Sequence, residues 1–306
     1  MMKTAVVTGA SGFIGSYLTR FLLSKNYCVY GVGTDIHKLK SMNFEGDFYP
    51  VAADFSEYGH LQKIIDADKA DIFFHFAWQG GFTTALRDYR LQFINSTAAC
   101  EALNSAINLK CEKFIFAGTV NEIEINQFIN NERFVPRNTN IYASCKVAAD
   151  MICRTIAHEN DIHYSNCLIP LPFGIGNDSR QLINILIKNC YLGQPTKLIK
   201  GDNMYDIAHI DDIVRAIYAI GESGKNMRAY YIGHRALKTF KEICTEIRDT
   251  INPNAELLFG EYKDSLNMDY SYTDLESLYR DTGFECSTDM RSKIIEQAEW
   301  LKSINF

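Results

Sequence analysis

Short apolar runs bounded by turn residues alternate, along the first half of the chain, with longer segments whose apolar positions recur every three or four residues. This rhythm predicts strands at Ala5 to Val7, Tyr27 to Val32, Phe48 to Ala52, Ile72 to Ala77, Lys113 to Ala117 and His163 to Ile169, most of them followed by a helix. Runs such as Asp71-Ile-Phe-Phe-His-Phe-Ala77 are apolar almost throughout, as a parallel sheet covered by helices on both faces requires. After about residue 170 the alternation breaks. Prolines at 170 and 172, the loop Gly174 to Ser179 and a helix from Gln181 to about Leu192 mark a second, smaller unit. The polar stretch Asn121 to Asn140 reads as a long loop, and long loops inside compact domains are more often functional than ornamental.

Composition narrows the class. The 306 residues make about two average domains, enough to bury roughly three quarters of the unfolded surface. With 47% hydrophobic and 22% charged residues the chain is too apolar to be disordered. A net charge of −6 supplies no global field for nucleic acid or an anionic membrane, so an anionic ligand has to be held by local geometry. The nine cysteines are odd in number and form no CxxC pair or zinc-spaced cluster, which predicts reduced core thiols in a cytoplasmic protein and no metal site. The apolar run after Met1 is too short for a signal peptide, and no stretch approaches a membrane span.

Two motifs carry chemistry. Thr8-Gly9-Ala10-Ser11-Gly12-Phe13-Ile14-Gly15 directly follows the first strand and opens a helix running to about Ser24. Glycines at 9, 12 and 15 permit a tight turn, close approach of a pyrophosphate and close helix–sheet packing, while the helix start attracts the anion; the motif predicts dinucleotide binding. Tyr142 and Lys146 lie four residues apart in a helical segment, Tyr142 to His158, and so share one face. An ammonium beside a phenol favours the phenolate and fits the pair for proton exchange with a hydroxyl or ketone.

In both motifs, and over essentially its whole length, the chain resembles the extended short-chain dehydrogenases, the group of nucleotide-sugar epimerases, dehydratases and ketoreductases. The resemblance implies a Rossmann-type doubly wound parallel sheet to about residue 170. It also implies a smaller α/β unit, 171 to 306, that binds the nucleotide sugar, with about 205 to 221 packing back on the first. Thr119, ending Phe114-Ile-Phe-Ala-Gly-Thr119, takes the position of the catalytic hydroxyl beside Tyr142 and Lys146, or else simply caps the next turn. Dehydratases of the family follow this residue with an Asp–Glu pair; Val120 and Asn121 stand here, with Glu122 one step on, so elimination chemistry looks absent.

For the cofactor, Gly9, Ser11, Gly12, Phe13, Ile14 and Gly15 are the implied phosphate contacts, Asp54 and Phe55 match the adenine contact, Phe76 and Ala77 the stretch under the cofactor, and Pro170 a further contact beside Tyr142 and Lys146. The family's ribose-binding acid falls at Gly33; Asp35 either substitutes or caps the helix Ile36 to Ser41. With Lys38 and Lys40 nearby, the expected cofactor is NAD(P), NADP(H) slightly favoured over NAD(H). For the sugar nucleotide, Trp78, Gln79, Phe82 and Thr83 lie in the loop that approaches the sugar, with Asn121 beyond Thr119; Trp78 is equally suited to the core. Tyr205 stands before Asp206 where the family carries an Arg, leaving Arg180, Gln181 or Lys188 to compensate. The expected activity is C4 reduction of a nucleotide-linked 4-keto-6-deoxyhexose, as in the family's CDP-paratose synthases. The alternatives are a 4-epimerase with tightly held NAD and, outside enzymes, a dinucleotide-sensing regulator. Association as a homodimer through Ala85 to Leu109 and Tyr142 to His158 fits the family.

Overall fold

The computed structural model describes residues 2–81, 84–129, 135–137, 139–263 and 268–305. Along the chain run β1 (Thr4–Thr8), α1 (Phe13–Ser24), β2 (Cys28–Gly33), α2 (Ile36–Ser41), β3 (Phe48–Ala52), α3 (Leu61–Ile64), β4 (Ile72–His75), α4 (Tyr89–Asn108), β5 (Lys113–Thr119), α5 (Asn121–Ile129), α6 (Asn140–Glu159) and β6 (His163–Ile169). There follow β7 (Leu171–Phe173), α7 (Leu182–Leu192), β8 (Thr196–Leu198), β9 (Met204–Tyr205), β10 (Ile207–His209), α8 (Ile210–Ser223), β11 (Arg228–Tyr231), β12 (Lys238–Thr239), α9 (Phe240–Ile251), β13 (Leu257–Phe259), α10 (Ser277–Thr282) and α11 (Met290–Ser303).

Seven strands form one sheet in the order β11-β6-β5-β4-β1-β2-β3, and every pairing is parallel. The strand order reverses between β1 and β4, and in such sheets the crevice beyond the carboxyl ends at that point receives ligand. Successive residues of each strand face opposite layers. Ala5, Val7, Phe74 and Ile115 pack with Leu18 and Leu22 of α1 and with Ile213, Ile217 and Ile220 of α8. Val6, Phe73 and Phe114 pack with Ala99, Ala102 and Leu103 of α4 and Ala149 and Cys153 of α6. The alanines at 98, 99, 102 and 106 let α4 lie close. A third cluster joins Ile183, Leu186 and Ile187 of α7 to Phe240, Ile243 and Ile247 of α9 and Ile294 and Leu301 of α11, and forms the smaller core. Each such side chain withdrawn from water contributes about 1.5–3 kcal/mol.

Four departures from the sequence pattern have physical causes. The strand expected to Ala77 stops at His75: the Phe76 N–H is shared between the carbonyl and the hydroxyl of Thr8 at the end of β1 (both 3.2 Å), and the Ala77 N–H turns to that hydroxyl (3.3 Å). The strand expected to Ala117 continues to Thr119, since β6 pairs with it as far as Ile169. The loop expected from Asn121 is helix as far as Ile129; the alternation Glu122-Ile-Glu-Ile125 hides the helical period, and both glutamates are buried among partners. Beyond residue 170 the chain returns to the main sheet as β11. All nine cysteines are free, and no described helix is long and apolar enough to cross a membrane.

Candidate active site

The turn after β1 is pressed tightly into the sheet. Gly9 has φ +72°, and the N–H groups of Gly9 and Ala10 both donate to the Val32 carbonyl at the end of β2 (2.9 and 3.2 Å). A Cβ on Gly9 would lie 2.9 Å from the Ala77 nitrogen, and one on Gly15 only 2.1 Å from the Gly9 carbonyl oxygen. Only glycine fits either place. The N-cap of α1 is Gly12, with no side chain to satisfy the first-turn N–H groups, whereas Asp35 and Asp88 cap α2 and α4. An uncapped helix start behind a glycine turn fits a pyrophosphate. Phe13 and Ile14 are half-buried, and Phe13 packs edge-on against Tyr17. A Cβ on Gly33 would lie 3.3 Å from the Ser11 hydroxyl, so a small residue ends β2 directly over the turn.

Asp35 is exposed, and its carboxylate accepts from the N–H groups of His37 and Lys38 (2.9 and 3.0 Å), the first cause of its lowered pKa being the Lys38 bond. It caps α2. Asp54 likewise opens the short helix Phe55–His60 with a reciprocal capping box to Glu57, and Phe55 packs edge-on against Tyr58.

Thr119 ends β5 facing α6, which carries Tyr142 and Lys146 one turn apart. The Lys146 ammonium is almost fully buried, donates to the Ala117 carbonyl (2.6 Å) and sits 3.7 Å above the centre of the Trp78 ring. Burial pushes its pKa down, and the charge of Glu122 opposes this. Burial pushes the Tyr142 phenol up, while a hydrogen bond with Thr119 works the other way. Trp78 stands edge-on to Tyr142 and Phe116 (6.0 and 6.4 Å) and is pinned from α4, its indole N–H donating to Gln92 (2.8 Å). Trp78 is thus packed, and it flanks both Tyr142 and Lys146. The Gln79 backbone is clasped by Asn95 (2.7 and 3.0 Å), and its side chain is exposed. The Asn121 N–H approaches the Thr119 hydroxyl at 3.4 Å.

Thr119, Tyr142, Lys146 and Trp78 are thus gathered, and Phe76–Ala77 connects them to the glycine turn. Pro170 is buried at the junction of β6 and β7. Arg180 is exposed, and Tyr205 packs edge-on against Phe240 in the smaller core (5.3 Å). Gln181, at the N-cap of α7, is 4% exposed, and neither atom of its amide has a hydrogen-bond partner among the described residues. Phe82 and Thr83 lie outside the described residues.

The structure adds residues that the sequence motifs pass over. His75 is fully buried between Phe114 and Phe116, with Nδ1 3.0 Å from the Thr8 hydroxyl. That hydroxyl also accepts from the N–H groups of Phe76 and Ala77, and burial lowers the ring's pKa to about 3. His75 is a neutral brace for the turn; a lone His in an apolar strand was its only signal. Glu122 receives the Thr119 N–H and the Asn166 amide, both at 2.8 Å.

A parallel sheet reversing at a glycine turn, with a strand-end Thr beside a Tyr and Lys one helical turn apart, defines an extended short-chain dehydrogenase. The chain belongs to the NAD dependent epimerase/dehydratase family, whose profile matches residues 5–233. Among curated relatives it is 24% identical to CDP-abequose synthase of Salmonella typhimurium, covering 85% of this chain and 84% of that protein. It is 20% identical to UDP-glucuronate 4-epimerase 1 of Arabidopsis thaliana, covering 98% and 77%. A solved structure of UDP-glucuronic acid 4-epimerase from Bacillus cereus, a tyrosine-to-phenylalanine mutant holding NAD and a UDP-sugar analogue, superposes with TM-score 0.80 at 18% identity over 98% and 99% of the two chains.

Proposed function

We propose that this enzyme reduces the C4 ketone of a nucleotide-linked 4-keto-6-deoxyhexose, with NADPH as the hydride donor. The observation that carries the reading is the Thr119–Tyr142–Lys146 group set beside the glycine turn, with Val120 and Asn121 where an eliminating enzyme needs an acid and a base. The dinucleotide, when bound, supplies the hydride. Gly9, Ser11, Gly12 and the first turn of α1 would hold its pyrophosphate; Asp35 is engaged in capping α2 rather than free for a ribose hydroxyl, which supports NADPH.

Within this site Thr119 hydrogen-bonds the substrate oxygen and polarises it, and Tyr142 delivers its phenolic proton to that oxygen as negative charge develops there. Lys146 stabilises the phenolate left behind. Trp78 closes one wall and excludes water. The unpartnered Gln181 amide at the start of α7 supports a place for the sugar nucleotide between the sheet and the smaller unit. On this reading residues to about 170 bind the dinucleotide and later residues the nucleotide sugar, apart from α8 and β11. Free thiols fit a cytoplasmic enzyme, and the exposed Tyr89, Phe93 and Ile94 of α4 with Met151 and Ile152 of α6 fit a homodimer.

Purified protein mixed with NADPH and 4-keto-6-deoxy sugars carried on CDP, dTDP, GDP or UDP is expected to oxidise NADPH with at least one of them. No oxidation with any of the four overturns the assignment. A second reading, 4-epimerisation with retained NAD, is supported by the epimerases among the relatives; release of NAD on denaturation, and epimer formed without net redox, would select it.

A further inference from the structure

We propose that Glu122 is a positioning residue of this site, a buried anion that keeps Lys146 charged and fixes the backbone of Thr119. The inference rests on the hydride-transfer reading above. Glu122 sits in the first turn of α5, 4% exposed. One carboxylate oxygen accepts the Thr119 N–H and the other the Asn166 side-chain amide, each at 2.8 Å. The strand makes room for this arrangement: a Cβ on Gly118 would fall 2.6 Å from Glu122 Oε1 and 2.0 Å from Asn166 Oδ1.

Both donors are neutral, so hydrogen bonding alone leaves a buried charge, which is costly unless another charge compensates it. Glu122 touches Thr119 of β5 and Asn166 of β6. Of the charged groups of α6 that act on it, Asp150 raises its pKa and Lys146 lowers it, while its own charge is felt by Tyr142, Tyr164 and Cys167. Asp150 is already held by Arg154 (3.0 Å) and by the Tyr164 hydroxyl (2.9 Å). The remaining cation is Lys146, in turn buried against Trp78 and the Ala117 carbonyl, with no carboxylate ion pair of its own among the described residues. Burial drives Lys146 toward the neutral amine, and burial with the Asp150 charge drives Glu122 toward the neutral acid; the Thr119 and Asn166 bonds and the Lys146 charge hold Glu122 ionised, and its charge in turn favours the ammonium. Removing the anion therefore deprotonates Lys146 at lower pH. It also lowers the pH at which Tyr142 ionises, because Glu122 raises that value.

Glu122→Gln is the test, since it is close to isosteric. Its oxygen still accepts from Thr119, and a turned Asn166 amide can present Oδ1, buried and unpartnered among the described residues, to the new NH₂. The readout is 13C NMR of lysine-labelled protein, with the Lys146 Cε signal identified by its loss in Lys146→Met. Its titration midpoint is expected to fall by about one pH unit or more in Glu122→Gln, and to stay within about half a unit in Glu122→Asp, which keeps the charge and gives up the Thr119 contact. The alkaline fall of kcat should move the same way. An unchanged midpoint in folded Glu122→Gln overturns the proposal; should that variant not fold, a shift of a full unit in Glu122→Asp overturns it. The midpoint is read without turnover, so failure of the reductase assay in the wild type tells against the catalytic reading and leaves this measurement standing.

Discussion

Tyr17, in the second turn of α1, donates its phenolic hydrogen to the carbonyl of Ile175 at 2.9 Å. Phe13, one turn earlier, is the neighbour that a side chain on Gly176 would meet, at 3.9 Å. The helix that would hold the dinucleotide phosphates thus bears directly on the loop that leads to α7, joining the two halves of the cleft. Tyr17→Phe removes one neutral hydrogen bond, about 1 kcal/mol of stability. We expect it to weaken dinucleotide binding and to raise KM for the sugar together, with kcat within about threefold, as the group acts only on binding. Calorimetric titration and steady-state kinetics check this; a change confined to one ligand contradicts the coupling.

Gln181 makes an opposite pair of predictions. Its amide is buried with no protein partner among the described residues, a penalty of about 1–3 kcal/mol to the folded protein. Gln181→Met should raise Tm, while KM for the nucleotide sugar rises and kcat stays nearly constant. A fall in both Tm and kcat would place Gln181 in the fold rather than in the site.

Tyr142→Phe should lower kcat by about 10²–10⁴-fold while dinucleotide binding, followed by quenching of protein fluorescence, survives. Burial holds the phenol above its ordinary pKa, so the proton-donating form persists through neutral pH. The rate of ketone reduction should accordingly hold on the acid side and fall toward alkaline pH, where Lys146, its pKa lowered by burial, loses its charge. A fall on the acid side would assign the donor elsewhere.

Glu124 is fully buried and takes the Arg137 guanidinium on both oxygens (2.8 and 2.9 Å), fastening α5 to the segment that leads into α6. Glu124→Ala leaves a largely buried arginine without this carboxylate and should cost about 3–5 kcal/mol, read as a lowered urea midpoint. Activity should fall as well, because Tyr142 lies in the first turn of that helix.

The sheet and the pairing of Tyr142 with Lys146 on one helix were legible because their signals are local. A parallel strand buried on both faces writes itself as an apolar run, and Tyr142 and Lys146 meet through helix geometry alone. Helix α5 was not legible: Glu122 and Glu124 look like solvent-facing residues of a loop until Thr119, Asn166 and Arg137, distant in sequence or beyond a turn, are seen to occupy them. Strand β11 was missed because its apolar run, Ala229-Tyr-Tyr-Ile232, is short and stands outside the βα rhythm of the first half; what makes it a strand is pairing with β6. Asp35 shows the limit from the other side: the same carboxylate suited a ribose contact or a helix cap, and only the folded chain reveals the cap.

Because β11 is the last strand of the sheet to be made, the segment 170–227 is inserted between it and its neighbour β6. During synthesis the nascent sheet keeps β6 as a bare edge until residue 231 has left the ribosome, and such an edge can pair wrongly with another chain. Lengthening the insertion, by contrast, would add little closure entropy, since that term grows only with the logarithm of loop length. A scaffold of this topology can therefore vary the part of the segment that precedes α8 without redrawing its sheet, provided that α8 still covers the sheet and the returning strand still finds β6.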